Sequence, residues 1–384
     1  MTESNADGLR PFIAMEILAE TKRLEAAGRE VFHLEIGEPY RPPAPRVLEA
    51  VAAALPFPQR YTHSKGLLEL REALCARYDT QYDVKLDPEQ IIVTTGSSAG
   101  FVLAFLGAFK KGATIAVTRP GYPAYVNILI GLGFKVCEIE LNAKNKWRLT
   151  ASDIEEAYKR DPFDGLLFAS PANPTGAAVK RQELENIVTT CASLGVQMIS
   201  DEIYHGLDYT QTSASAAEFS SDVIVVNSFS KYYCMTGWRV GWMILPQSLV
   251  RRAEMLQQNL YISAPSLSQI AACAALEEIE YSEQQKVHCE QNRGLLTSGL
   301  TALGFEGVQP ADGAFYTYVD VSRFTNNSVT FCQEMLQETG VAATPGTDFD
   351  WVNGHKYVRF SFAGAEAAIV ASLEKMAGYL PRPS

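Results

Sequence analysis

Lys231 lies in the segment NSFSKYYCMTGWRVGW, where an apolar run ends in hydroxyls and an amine, and Arg239 follows close behind. A lysine at the end of a strand is in general a surface residue, since lysine is rarely buried. Three features point elsewhere. Ser228 and Ser230 fall on one side of an extended segment. Gly237 lets the backbone turn before Arg239. Arg239 itself stands among Trp238, Val240 and Gly241, where an unpaired guanidinium is costly. An anion held by Ser228, Ser230 and Arg239 beside an amine accounts for all three, and a lysine in such a cationic pocket has a lowered pKa suited to imine formation.

In VQMISDEIYHGL, Asp201 closes an apolar strand at the carboxyl end, where ligands bind in open α/β sheets. A desolvated carboxylate is costly without a cation or good donors. Two readings follow: an N-cap or solvated loop acid, or a carboxylate facing a protonated ring nitrogen. Glu202, next along, reads as structural, and His205 as structural or as a support behind the site residues. ASPANPTG presents the Asn173 amide on backbone constrained by Pro174, although Asn-Pro-x-Gly alone is simply a turn. TTGSSAGF is a strand–Gly–Ser–Ser–helix junction. Free N–H groups there, with Ser97 and Ser98, suit a phosphate, or equally an ordinary helix cap. No single motif decides; the combination and order do.

The elements that must position these residues alternate from about residue 69. LLELREALCARYDTQY and KRQELENIVTTCASLG read as amphipathic helices and SSAGFVLAFLGAF as an apolar one. IIVTTG, ATIAVTRPG, GLLFASP, VQMISDEIY, DVIVVNSFS and VGWMILP read as short buried strands. Buried strands alternating with helices predict an α/β fold with a mainly parallel sheet flanked by helices. Helices dominate after about 246, and the C-terminal part (AFYTYVDVS, VTFCQEMLQET, KYVRFSFAG, AAIVASLEKMAGYL) reads as a smaller α+β unit, with a boundary near 290.

The chain has 384 residues, 47% apolar and 20% charged, with a formal net charge of −11. That balance argues against nucleic acid and acidic membrane partners, which require basic patches. Seven scattered cysteines without a C-x-x-C pair read as reduced thiols. The polar start MTESNADGLRPF predicts no signal peptide, and no apolar run is long enough for a membrane helix. A cytoplasmic protein is expected. The five histidines (33, 63, 205, 288, 355) have no ligand spacing, so no metal is expected.

The succession Gly37, Tyr61, GSSAG, PGYPAY, NPTG, DEIY, SFSK, GWR and a late arginine resembles the class I/II aminotransferases of the fold-type I superfamily dependent on pyridoxal 5′-phosphate (PLP). The aspartate, alanine and aromatic aminotransferases are the similar group. The resemblance runs from EIGEP to KYVRFSFAG, nearly the whole chain. It implies a large PLP-binding domain at 46–290 with a mainly parallel mixed sheet, a small α+β domain at 291–384, and an N-terminal segment, 1–45, joining the small domain. It implies transfer of an amino group from an L-amino acid to a 2-oxo acid by a ping-pong Schiff-base mechanism. A PLP-dependent C–S β-lyase, or another lyase on the same fold, is the alternative. A PLP-sensing regulator would carry an added DNA-binding module, of which the sequence has no sign.

The roles implied by the resemblance are specific. Lys231 forms the Schiff base and shuttles the proton, Asp201 pairs with the pyridine nitrogen, and Asn173 and Tyr204 hydrogen-bond the phenolic oxygen. Ser97, Ser98, Ser228, Ser230 and Arg239 hold the phosphate, and Tyr122 stacks on the ring. Arg359 clamps the substrate carboxylate, with the Gly37 backbone beside it. Tyr61 reaches the phosphate of the other subunit, which implies a homodimer with shared active sites. Two departures stand out: the phosphate loop reads Ser98-Ala99, and no second arginine is assignable to a side-chain carboxylate, so aspartate-type specificity has no support.

Overall fold

A computed structural model describes residues 8–381. The first seven residues, part of the polar start that predicts no signal peptide, and residues 382–384 lie outside the described region. The strands, in chain order, are β1 (Phe32–His33), β2 (Ile91–Thr94), β3 (Thr114–Arg119), β4 (Lys135–Glu140), β5 (Gly165–Ala169) and β6 (Gln197–Asp201). They continue with β7 (Ile224–Ser228), β8 (Gly241–Ile244), β9 (Tyr316–Asp320), β10 (Val341–Ala342), β11 (Thr344–Pro345) and β12 (Tyr357–Ser361).

Seven of these form one sheet in the order β2-β8-β7-β6-β5-β3-β4. Only β8 runs against its neighbours, β7 and β2; the other pairings are parallel. This is the mixed, mainly parallel sheet expected from the alternation of apolar runs. Every residue of β2, β7 and β8 is buried, as strands covered on both faces must be. Alternate residues serve opposite layers: Val93, Phe168, Met198 and Val225 belong to one apolar cluster, Ile92, Leu167, Ile199 and Val226 to the other. β4 is absent from the sequence-based expectations. It sits at the sheet edge and reads KVCEIE, with its charged residues exposed or half-buried, and so lacks the apolar run that marks a central strand.

β2, β5, β6 and β7 all point the same way, so their carboxyl ends deliver Gly96, Asn173, Asp201 and Lys231 to one edge of the sheet. The second sheet, β11-β12-β9, is antiparallel and carries Arg359, which faces Tyr318 across the ladder. β1 pairs in parallel with β10, tying the N-terminal segment to the C-terminal part. The helix Ile279–Ala302 is continuous through residue 290. Among the described residues no helix is long and apolar enough to cross a membrane.

Candidate active site

A cavity of about 510 Å³ opens between the carboxyl edge of the large sheet, the second sheet and the N-terminal helix Ile13–Ala26. Of the thirteen site residues expected from sequence, eleven line it; Ser228 and Tyr61 do not.

Lys231 and Asp201 both line this cavity. Lys231 is only partly buried, as a residue lining an open cavity must be, and its Nζ donates to the Gly37 carbonyl at 2.7 Å. Burial nevertheless pushes its amine down to about 8, with Arg359 and Arg239 adding to the effect and Glu38 opposing it. Asp201, 3% exposed, ends β6. Its Oδ1 accepts from the Ile203 N–H at 3.0 Å and its Oδ2 from the Tyr125 hydroxyl. Burial raises this carboxyl to about 6 despite those two donors. The loop-acid reading of Asp201 is therefore set aside: the group is desolvated and its hydrogen-bond donors are neutral.

The phosphate-type junction has the expected form. The helix Gly96–Ala108 starts directly after β2, with its first residue at φ +74°. A Cβ at position 96 would stand 2.6 Å from the Arg239 guanidinium, so glycine is needed for the arginine to close over the helix N-terminus. Arg239 donates to the Thr236 carbonyl at 3.1 Å. Ser97, Ser98 and Ser230 line the cavity beside it. Ser228 is held behind them: its Oγ donates to the Val240 carbonyl at 3.0 Å and lies 2.8 Å from Ser230 Oγ.

On the opposite wall, Arg359 is 3% exposed. It donates to Asn173 Oδ1 at 2.9 Å, to Thr344 Oγ1 at 3.2 Å and to the Glu35 carbonyl. All three acceptors are uncharged, and Nε is buried without a hydrogen-bond partner. Tyr122 lines the cavity, with burial pushing its hydroxyl up to about 12. Tyr204 is buried, with its Oη 3.0 Å from Tyr316 Oη. Tyr61 is 81% exposed, near the exposed apolar residues Leu55 and Phe57.

Two residues of the site escape sequence reasoning. Tyr125, the donor to Asp201, stands one helical turn after Tyr122 in PGYPAY, a spacing that puts both on one face. Tyr316 comes from β9, which reads only as an apolar strand. Glu202 and His205 do not line the cavity. Glu202 accepts from Ser200, Ser215 and the Ala216 N–H, and His205 contacts Tyr82 and the Ser170 carbonyl.

Three cations that donate to neutral acceptors thus surround one cavity together with the Asp201 carboxylate, whose donors are neutral, and with Glu35 and Glu38. That set complements a dianionic group beside Arg239, a carboxylate at Arg359, and a flat protonated ring whose nitrogen meets Asp201.

The family model for aminotransferase class I and II matches residues 29–373. The chain is 42% identical over 381 residues to the valine–pyruvate aminotransferase of Mycobacterium tuberculosis, covering 97% of each protein. It superposes on the crystal structure of an aminotransferase from Mycobacterium tuberculosis with TM-score 0.95 and 39% identity, covering 99% of this chain and all of that one. The aspartate aminotransferase from Thermus thermophilus with maleate matches with TM-score 0.92 and 28% identity over 99% of this chain and all of that one.

Proposed function

This chain belongs to the class I and II aminotransferases and catalyses amino-group transfer, and on that premise we propose that it does so with PLP held between Lys231 and Asp201. The observation that carries the proposal is the buried Asp201 carboxylate, without a cationic partner, sharing a cavity with the Lys231 amine. When bound, PLP supplies an aldehyde that condenses with amines and a protonated ring that withdraws electrons.

Each residue then has a task. Asp201 holds the proton on the ring nitrogen. Lys231 would anchor the cofactor and, with its amine free, would take the proton from the substrate Cα through Nζ. An amine at about 8 is partly unprotonated near neutral pH, as both tasks require. Asn173 and Tyr204 hydrogen-bond the phenolic oxygen. Ser97, Ser98, Ser230, the N–H groups of the helix Gly96–Ala108 and Arg239 take the phosphate, with Ser228 orienting Ser230. Tyr122 covers a face of the ring, and Arg359 fixes the substrate carboxylate near Gly37.

The substrate side chain meets Phe12, Met15, Leu18 and Ile36, an apolar wall supplied by the N-terminal segment. Arg239 and Arg359 are the cavity's arginines, and both already have tasks. An aliphatic L-amino acid such as valine, with pyruvate as acceptor, suits this wall and agrees with the activity for which the Mycobacterium tuberculosis relative is named. Exposure of Tyr61, Leu55 and Phe57 supports a homodimer in which Tyr61 serves the partner's site. The β1–β10 pair supports a division in which residues 1–45 join a small domain at 291–384. A cytoplasmic setting fits such small-molecule chemistry.

The test is to mix PLP-loaded protein with L-valine and pyruvate and to follow alanine and the branched 2-oxo acid. Both should appear in equal amounts. Release of pyruvate and ammonia from cysteine conjugates without any acceptor, and no alanine from any L-amino acid, would contradict the proposal.

A further inference from the structure

Tyr316 has no task in the scheme above, yet it touches Arg359, Tyr204 and Gly37. Its side chain is 2% exposed. On the second sheet it lies opposite Ser361, diagonal to Arg359 on the same face. Its ring carries the Arg359 guanidinium, with Cζ 4.3 Å from the ring centroid. Its hydroxyl is 3.0 Å from Tyr204 Oη. The same hydroxyl fills the space where a Cβ at position 37 would stand, only 1.8 Å away, so this phenol requires the glycine whose carbonyl accepts from Lys231.

Two phenols in contact share one hydrogen bond, and its direction decides what Tyr204 can offer the cavity. The guanidinium over the Tyr316 ring draws electron density from it and makes its hydroxyl the more acidic of the pair. Burial raises both phenols, and Arg359 opposes that rise at each.

We propose that Tyr316 is a positioning residue: its hydroxyl donates to Tyr204, directing the Tyr204 proton into the cavity toward the cofactor's phenolic oxygen, while its ring seats Arg359 for the substrate carboxylate. The inference rests on the PLP reading of the cavity. It gives one side chain two separable effects, one through oxygen and one through the ring.

The experiment follows two quantities in PLP-loaded protein: the pH midpoint of the visible band of the lysine-linked chromophore, and the Kd of isovalerate, a carboxylate without an amine. A donor at the phenolic oxygen stabilises its negative charge and makes the neighbouring nitrogen less basic, so losing that donor raises the midpoint. Tyr316→Phe should raise it by about half a unit, roughly threefold in the protonation equilibrium, and leave the isovalerate Kd within about twofold. Tyr316→Leu should raise the midpoint equally and also weaken isovalerate about fivefold. In a Tyr204→Phe background, Tyr316→Phe should add no further shift.

An unmoved midpoint in Tyr316→Phe overturns the inference, as does a shift that persists without the Tyr204 hydroxyl. Equal changes of both quantities in the Phe and Leu variants reduce Tyr316 to packing and also overturn it. If Tyr316→Leu does not fold, the Phe variants alone decide the role of the hydroxyl. Wild-type protein that develops no visible band with PLP defeats the cofactor reading itself, a failure distinct from all of these.

Discussion

Asp201→Asn should stabilise the protein when the cofactor has been stripped. The Asp201 carboxyl titrates at about 6 instead of 3.8, a shift of about two units, or about 3 kcal/mol. Because the folded value is the higher one, folding favours the protonated acid. That contribution is complete below pH 3.8 and is lost as pH rises through about 6. At pH 8 the cofactor-free fold is about 3 kcal/mol weaker than it would be with a neutral residue there. Asparagine has no charge to desolvate and keeps an oxygen for the Ile203 N–H. With an unfolding entropy of about 2.1 cal/mol/K per residue, a chain of this length should melt about 4 °C higher. Scanning calorimetry of stripped wild type and variant from pH 4 to pH 8 is the assay. The gap should be about 4 °C at pH 8 and close toward pH 4. Adding PLP should reverse the order, because the ring nitrogen then partners the wild-type carboxylate. A stripped variant that melts below wild type at pH 8, by an amount independent of pH, would refute the claim that this carboxylate is buried without a partner.

Other perturbations probe the remaining contacts. Gly96→Ala would drive a Cβ to 2.6 Å from the Arg239 guanidinium at positive φ; PLP affinity, read by fluorescence titration, should fall about tenfold or more, and unchanged affinity would contradict the packing. Arg359→Lys replaces a planar fork with a point charge, so kcat/KM should fall about 10–100-fold for every amino acid alike, and a loss confined to one side-chain class would assign Arg359 to selectivity instead. His33 is raised to about 9, chiefly by its hydrogen bond to Glu35, so its stabilisation is complete below pH 6.5 and is lost as pH rises through about 9. Wild type should therefore lose melting temperature between pH 7 and pH 10, and His33→Gln should lose less; identical slopes would remove His33 from the account.

The sheet was legible because a strand covered on both faces must be apolar throughout, and IIVT and IVVNS leave little choice. Lys231, Asp201, Asn173 and Gly96 were legible for a related reason: each ends or follows such a strand, and parallel strands bring their carboxyl ends to one edge. Tyr125 was half legible, since its spacing from Tyr122 shows the shared face but not which phenol reaches the carboxylate. Tyr316 was not legible. Its contacts depend on how the second sheet packs over the first, and nothing in AFYTYVDVS distinguishes a core tyrosine from one that supports an arginine. Ser228 shows the converse: its side of the strand is readable from the sequence, but the Val240 carbonyl that accepts its hydrogen bond lies on a neighbouring strand's approach. β4 was hidden by its charges, which an edge strand tolerates and a central strand does not.

Which amine holds the cofactor can be measured directly. PLP-loaded protein reduced with borohydride, digested and analysed by mass spectrometry should carry a single phosphopyridoxyl group on the peptide containing Lys231. Attachment at any other lysine, or no attachment at all, would contradict the account.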